Sequence, residues 1–232
     1  MNNISIIPIN NLPEFEPKYD LADEIVKSFS SNNFVLEDKD VIVITQKIVS
    51  KVEDRLIKND NESIEKLIQQ ESLEILRKRG DTVIARTKHG FICANAGIDK
   101  SNIEKGSVLL LPEDPDKTSR DIRKKIEHVT NKKISIIISD TFGRAWRKGQ
   151  TNVAIGSSGI EPLESYIGEK DAFDNELFAT EIAIIDELAG AAELVMKKSD
   201  NIPVAIIRGV NYKYSDLGVK ELIRKEDEDF FL

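Results

Sequence analysis

The amino-acid sequence predicts an α+β fold in which a mixed β-sheet is flanked by helices. Short runs rich in Val and Ile recur along the chain, and amphipathic helical patterns lie between some of them. The two patterns do not alternate strictly, because residues 83–111 contain three candidate strands separated only by Gly, Asn and Asp turns. A doubly wound parallel sheet places a helix between successive strands, so the sequence favours the mixed sheet.

The candidate strands are short segments whose length and β-branched content are typical of strands. They cover residues 3–9, 41–45, 82–86, 91–96, 107–111, 134–139, 152–156, 181–186 and 203–209. Several of them run directly into polar residues, as expected where a buried strand reaches the edge of a sheet.

Four helices are predicted from apolar residues that recur at spacings of three and four. The first follows Asp20, which suits an N-cap position. The second is expected over residues 64–80 with Gly80 as its C-terminal cap. The third covers residues 119–129, and the fourth lies around residues 188–195.

Length and charge limit the class of protein. The chain has 232 residues with a formal net charge of −8, which predicts a single domain over residues 1–232 or two small, intimately packed subdomains. An acidic chain is a poor general binder of nucleic acid. No apolar stretch approaches the ~20 residues that a membrane-spanning helix needs, and no cationic segment with a long apolar run follows Met1, so we expect a cytoplasmic protein.

Several common catalytic motifs are absent from the sequence. There is no Gly-x-Gly, and the segment 143–151 has five residues between its glycines and Gln150 where a Walker-type loop has lysine. The two histidines, His89 and His128, are expected to be ordinary surface or turn residues. Cys93 is the single cysteine and is expected to be a small buried apolar residue.

Two aspartates follow apolar strands and have hydroxyl or amide neighbours. Asp140 comes directly after the run 134–139, and Asp99 comes shortly after the run 91–96. Carboxylate and hydroxyl oxygens are the ligands that Mg²⁺ and Mn²⁺ prefer, so the pair is a candidate metal site. The alternative is that both aspartates begin turns or cap helices.

Basic residues lie near this candidate site in the sequence. Lys47 and Lys51 follow the run 41–45, and Arg144 and Arg147 follow Asp140. In an acidic protein such a group of cations suggests an anionic ligand, either a nucleotide phosphate or a carboxylate. A solvated charged surface is the alternative.

Five segments of the sequence form a recognisable set, at 40–51, 92–102, 139–160, 186–196 and 202–209. They resemble the corresponding segments of the coenzyme F420-0:γ-glutamyl ligase family. The similarity runs from IPINNLP near the start to IIRG near the end, and its most specific parts are ANAGIDKSN followed by SDTFGR. The resemblance implies an F420 γ-glutamyl ligase-like α+β fold and a homodimer.

The resemblance also implies an activity. It is that of a GTP-dependent ligase that joins L-glutamate to a carboxylate of the deazaflavin F420-0 and then extends the product through γ-linkages. Because a carboxylate is a poor acyl donor, the expected route forms an acyl phosphate, which requires charge neutralisation more than a nucleophilic side chain. No catalytic residue is therefore assigned. The alternatives are a ligase for another carboxylated cofactor, a ligase that adds one glutamate only, and a catalytically silent nucleotide-binding regulator.

The resemblance implies two groups of site residues, and the position of the turn after Asp140 suggests a third. Asp99, Asp140 and Thr141 would hold two divalent ions, Mg²⁺ or Mn²⁺, with K⁺ as a further candidate cation. GTP would be bound by Asn11, Leu12, Pro13, Glu14, Gln46, Lys47, Lys51, Asn102, Met196, Lys197, Lys198, Ser199, Asp200, Asn201 and Ile202. Arg144 or Arg147 would hold an anionic group of GTP, glutamate or F420-0, because the turn after Asp140 is expected to enter the site.

The sequence departs from the family pattern at two places. A glycine is expected near Asn11, where the chain reads NLPE. Relatives often have more glycine and can supply an acidic metal ligand where residues 196–202 read MKKSDNI. Lys197 and Lys198 cannot coordinate a cation while they are charged.

Overall fold

The computed structural model describes residues 3–58, 64–101, 103 and 106–230. Its α-helices are α1 (Leu21–Ser31), α2 (Gln46–Val52), α3 (Ile64–Glu71), α4 (Pro115–Thr130) and α5 (Ile184–Met196). Its strands are β1 (Ser5–Ile9), β2 (Val41–Thr45), β3 (Leu56–Lys58), β4 (Ser72–Arg79), β5 (Thr82–Thr87), β6 (Ile92–Ala94), β7 (Ser107–Leu109), β8 (Ser135–Arg144), β9 (Arg147–Ser158), β10 (Glu164–Ser165), β11 (Glu181–Ile182) and β12 (Val204–Arg208).

The main sheet has five strands in the order β1-β12-β2-β8-β9. Strands β2 and β8 are parallel, and the other neighbours are antiparallel, so the prediction of a mixed sheet is confirmed. The first four residues of β2 and of β12 and the first five of β8 are buried, which requires cover on both faces of the sheet. Helix α5 packs against β9, β12 and β1, and α4 packs against β8 and β9.

The register of this sheet brings several chain segments to one end. Ile9 at the end of β1 pairs with Val204 at the start of β12, and Val204 pairs with Ile44. Thr45, the last residue of β2, pairs with Ser139 in the middle of β8. Strands β8 and β9 continue past this point as a two-stranded hairpin. We call this end of the main sheet the hairpin end.

A second hydrophobic cluster lies beside a smaller sheet in which β5 pairs with β4 and β6. Its buried members are Leu67, Ile68, Val83, Ala85, Ala96, Ile98, Val108 and Leu110. Asp99 exchanges two backbone hydrogen bonds of 2.9 Å with Leu109, which fixes its position against β7. The division into one domain or two subdomains stays a prediction.

The second predicted helix is much shorter than expected. Helix α3 ends at Glu71, and residues 72–79 form β4, which pairs with β5 through a two-residue turn. Gly80 occupies that turn with φ of +59°, so its assignment as a helix cap was wrong. The apolar residues Leu73 and Ile75 are exposed on β4, because hairpin pairing rather than a helical face decides the structure of this segment.

The other helices begin close to where the sequence indicates. The Asp20 side chain accepts a hydrogen bond from the Asp23 N–H, which confirms its role as the N-cap of α1. Asp114 caps α4 and starts that helix earlier than predicted. The predicted strand over 181–186 was wrong beyond Ile182, because Ile185 belongs to the buried face of α5.

Two further sequence expectations concern burial and membranes. Cys93 is buried on β6, as predicted. His89 lies in a turn, and His128 is exposed in the last turn of α4, which agrees with the turn and surface positions predicted for them. Within the described ranges, the helices are too short or too polar to cross a bilayer.

Candidate functional site

The predicted nucleotide segments converge at the hairpin end of the main sheet. Residues 11–14 follow β1, and the loop 196–202 leads into β12. Gln46, Lys47 and Lys51 lie on α2, which begins immediately after β2. The sheet register therefore brings these distant segments together. Asn102, another predicted nucleotide residue, lies outside the described residues.

Strand β8 continues through Asp140 and Thr141 to Arg144, so the prediction that the strand ends at residue 139 and that a turn follows Asp140 was wrong. Asp140 is the first residue of β8 beyond its pairing with β2, and it pairs with Val153 on β9. Burial raises the pKa of the Asp140 carboxyl, while the Thr141 N–H, Lys47 and Lys198 act in the opposite direction. The carboxylate is thus partly desolvated and held among cations.

Asp99 contacts Lys47, one of the two lysines near Asp140. Its carboxylate forms an ion pair with the Lys47 ammonium group and accepts a 2.7 Å hydrogen bond from the Ser101 N–H. Burial lowers the pKa of Lys47, and the nearby Asp140 charge raises it. Lys47 therefore interacts with both candidate metal-binding aspartates.

Lys198 contacts a group of polar side chains on three elements. Its Nζ lies 2.6 Å from Thr141 Oγ1, 3.2 Å from Asn152 Oδ1 and 2.8 Å from a Glu193 carboxylate oxygen. The Asn152 amide donates a 2.8 Å hydrogen bond to the other Glu193 oxygen, and Thr141 Oγ1 lies 2.7 Å from Asn152 Oδ1. We call Thr141, Asn152, Glu193 and Lys198 the Lys198 cluster.

Sequence reasoning missed Asn152 and Glu193. Asn152 pairs with Thr141 across the β8–β9 hairpin, and Glu193 reaches the same place from α5. Neither residue belongs to a spacing motif. The one signal that could have found Asn152 is its register opposite Thr141, which depends on knowing the position of the hairpin turn.

Two other predicted nucleotide residues on α2 have contrasting surroundings. The Lys51 ammonium group forms an ion pair with Glu14, so α2 and the segment after β1 are in contact. The Gln46 side chain is 1% exposed, and its amide donates a 3.2 Å hydrogen bond to the Leu110 carbonyl. Gln46 therefore ties α2 to the segment that follows β7.

The two departures from the family pattern coincide with unusual backbone conformations. Asn11 has φ of 61° and Asn201 has φ of 54°, in the left-handed region. Glycine enters this region freely, and asparagine is among the residues that tolerate it best. Lys197 also has a positive φ, of 49°, at the C-cap of α5. In both segments, residues other than glycine therefore adopt backbone conformations that glycine adopts most readily.

Arg144 and Arg147 lie farther from the aspartates than the sequence suggested. They pair across the turn at the tip of the hairpin, and both are exposed. At a strand rise of about 3.3 Å per residue, Arg144 lies about 13 Å along β8 from Asp140. Its guanidinium donates a 2.7 Å hydrogen bond to the Lys148 carbonyl. Their role in substrate binding stays a prediction.

The donors at the site suit one divalent ion better than two. In the part of the chain that the structure describes, no group of three or more His, Cys, Asp or Glu side chains could hold a metal ion. Asp99, Asp140 and Thr141 carry the kind of oxygen donor that Mg²⁺ and Mn²⁺ prefer, and a single ion held by them would take its remaining ligands from water or a substrate. Thr141 Oγ1, Asn152 Oδ1 and a Glu193 carboxylate oxygen already surround the Lys198 ammonium group, so this set of donors suits an ammonium group better than a second divalent ion.

Comparison with known proteins gives consistent matches over most of the chain. The model of the F420-0:Gamma-glutamyl ligase family matches residues 10–209. The chain is 44% identical over 231 residues to the coenzyme F420:L-glutamate ligase of Methanococcus maripaludis strain C7, covering 92% of this chain and 90% of that protein. It is 44% identical over 216 residues to the protein of the same name from Methanocaldococcus jannaschii, covering 85% and 86%.

Proposed function

The chain belongs to the F420-0:γ-glutamyl ligase family, and from this membership we propose that it is a GTP-dependent ligase. It joins the amino group of L-glutamate to a carboxylate of F420-0 and extends the product through γ-linked glutamates. The observation that carries the proposal is the meeting of three lysines and two aspartates at the hairpin end of the main sheet. Phosphoryl transfer depends chiefly on this kind of charge arrangement.

The lysines provide the positive charge that a nucleoside triphosphate requires. Lys47 and Lys51 come from α2, and Lys198 comes from the loop before β12. In the described structure each ammonium group has a carboxylate partner, so each is already held near the site. We propose that they bind phosphate oxygens when GTP is present.

The same region contains the donors for a divalent ion. Asp99, Asp140 and Thr141 would hold Mg²⁺ or Mn²⁺, which when bound supplies charge stabilisation to the phosphate oxygens. Asp140 pairs with Val153 on β9, one residue past the last pair between β8 and β2, and this pairing fixes its backbone. This rigid backbone keeps the carboxylate at one place while ligands enter and leave.

The proposed chemistry has two steps. A carboxylate oxygen of F420-0 attacks the γ-phosphorus of GTP, which forms an acyl phosphate and releases GDP. The amine of glutamate then attacks the acyl carbon, the amide bond forms, and phosphate leaves as the amine loses a proton. No side-chain nucleophile is needed. Burial raises the pKa of the Cys93 thiol to about 12, so this cysteine stays protonated at neutral pH.

Mass spectrometry tests the proposed function directly. The protein is incubated with F420-0, L-glutamate, GTP and Mg²⁺ or Mn²⁺, and we expect products that carry added glutamate together with one GDP for each amide bond. Omission of GTP or of glutamate is the control and should give no product. Product formation without GTP, or GDP release without product, would contradict the proposal.

We also propose that the chain forms a homodimer. Large apolar side chains are exposed at the hairpin tip, where Trp146 is 82% exposed, and at Phe173 and Phe178 between β10 and β11. Such side chains are enriched at protein interfaces. Sedimentation velocity should show a dimer, and Trp146→Ser should weaken it if the hairpin tip lies in the interface.

A further inference from the structure

The Lys198 cluster holds an ammonium group at a defined place beside Thr141. Three oxygen atoms surround Lys198 Nζ at 2.6 to 3.2 Å, and they come from β8, β9 and α5. Asn152 is 5% exposed, and both atoms of its amide are engaged within the cluster. The cation is therefore fixed by a network of side chains rather than by one surface ion pair.

The donors of this cluster suit an ammonium group better than a divalent ion. They are a hydroxyl, an amide oxygen and one carboxylate, Glu193, whose other oxygen accepts a hydrogen bond from Asn152. Hard divalent ions in proteins prefer several carboxylate oxygens in their coordination shell. An ammonium group has three N–H donors, so the hydroxyl, the amide oxygen and one carboxylate oxygen can each accept one hydrogen bond from it.

The cluster adjoins the proposed nucleotide site. Thr141 follows Asp140 on β8, and Lys198 is among the cations whose charge acts on the Asp140 carboxyl. Lys47 lies on the other side, where it contacts Asp99. Phosphate oxygens that approach Asp140 through a bound cation would therefore also meet the Lys198 ammonium group.

We propose that the Lys198 ammonium group serves as a built-in cation for the nucleotide phosphates, in place of a second divalent ion. The enzyme then loads one divalent ion per chain with each nucleoside triphosphate. Asn152 and Glu193 are positioning residues that hold the ammonium group. This inference rests on the proposed function.

Equilibrium dialysis measures the number of ions directly. The full chain is dialysed against Mn²⁺ and a non-hydrolysable GTP analogue, and bound Mn²⁺ and bound nucleotide are quantified. We expect one Mn²⁺ per bound nucleotide for the wild type. Lys198→Asp replaces the cation with a carboxylate, so we expect two Mn²⁺ per nucleotide for this variant.

A neutral variant and a matched control separate the charge of Lys198 from general effects. Lys198→Gln should weaken nucleotide binding about 10-fold or more, because it removes a charged hydrogen-bond donor. Lys125→Gln is the control, since Lys125 on α4 has nearly the same side-chain exposure, 59% against 60%, and the same 2.8 Å ion-pair distance. It should bind nucleotide and Mn²⁺ like the wild type. Glu193→Gln should weaken nucleotide binding without changing the Mn²⁺ ratio.

The possible failures are distinguishable. Two Mn²⁺ per nucleotide in the wild type, or unchanged nucleotide affinity in Lys198→Gln, would overturn this inference alone, because glutamate addition is measured separately by mass spectrometry. Absence of nucleotide binding by the wild type would overturn both this inference and the proposed dependence on GTP.

Discussion

At the scale of single residues, Asp140 experiences opposing influences. Burial disfavours its ionised form, whereas Lys47, Lys198 and the Thr141 N–H favour that form. Because the net effect is a raised pKa, an ionised Asp140 lowers the stability of the protein without ligands. A bound divalent ion would offset this unfavourable charge, so stability and function make opposite demands on the same side chain.

The first prediction is that Asp140→Asn inactivates the protein and stabilises it. Without the carboxylate charge, kcat/KM should fall about 100-fold or more. A raised native pKa means that the native state binds more protons than the unfolded state between that pKa and the reference value of 3.8. Wild-type stability should therefore rise as the pH falls through the raised pKa, and the variant should lack this rise.

Urea unfolding at pH 7 and pH 4, together with the ligase assay, checks both parts. The variant should be more stable than the wild type at pH 7, and the difference should shrink at pH 4. Asp99→Asn should also lose activity. Wild-type activity in Asp140→Asn at ordinary metal concentrations would exclude Asp140 as a metal ligand.

A second prediction concerns Lys51. Lys51→Ala should raise the KM for GTP about 10-fold, because a charged contact to phosphate is lost. Lys27→Ala is the comparison, since Lys27 is an exposed lysine on α1 that pairs with Glu24. Steady-state kinetics with GTP varied should separate the two variants. Equal KM values would mean that Lys51 does not contact the nucleotide.

At the scale of elements, continuous apolar runs were predictable, and segments that depend on pairing were not. Strands β2, β12 and the first half of β8 were predicted from sequence because continuous Val and Ile runs are typical of strands that are buried on both faces of a sheet. Residues 72–79 fit both a helical and a strand period, and pairing with β5 decides between them. Helix α2 was missed because it begins directly after β2, with the last strand residue, Thr45, as its N-cap.

The candidate site also contains residues that were predictable from sequence and residues that were not. Lys47, Asp99 and Asp140 were identified from sequence, and the structure places all three at the hairpin end of the sheet. Asn152 and Glu193 could not be identified, because their contacts with each other and with Lys198 arise from the hairpin register and the packing of α5. Sequence shows which residues can do the chemistry, whereas tertiary register decides which residues hold them in place.

The β8–β9 hairpin provides a third prediction. If an anionic group binds at its tip, Arg144→Lys or Arg147→Lys should lower kcat/KM although the charge is retained, because lysine cannot form two parallel hydrogen bonds to a carboxylate or phosphate. Kinetics with GTP, glutamate and F420-0 varied in turn would identify the substrate concerned. Wild-type kcat/KM for all three substrates in both variants would exclude this role.

At the scale of the whole molecule, charged side chains on α4 tie the C-terminal segment to the main sheet. Asp116 accepts hydrogen bonds from the Ser157 N–H at 2.8 Å and the Val219 N–H at 3.0 Å. Arg123, also buried, forms two 2.9 Å hydrogen bonds with the Asp216 carboxylate. The contacts with Val219 and Asp216 join parts of the chain about a hundred residues apart, and composition gave no indication of them.

The last prediction tests this connection through Asp116, which is 4% exposed. Asp116→Ala leaves two backbone N–H groups without their acceptor, so the free energy of unfolding should fall by about 2–4 kcal/mol. Asp116→Asn keeps an acceptor oxygen and should recover most of the loss. Asp121→Ala, which removes an exposed pair with Lys117 on the same helix, should cost less than about 1 kcal/mol.

Urea unfolding compares the three variants, and kcat/KM for GTP should be unchanged in the folded Asp116→Ala protein because the contact lies outside the candidate site. Equal stability of Asp116→Ala and Asp121→Ala would show that the C-terminal segment is held without this carboxylate.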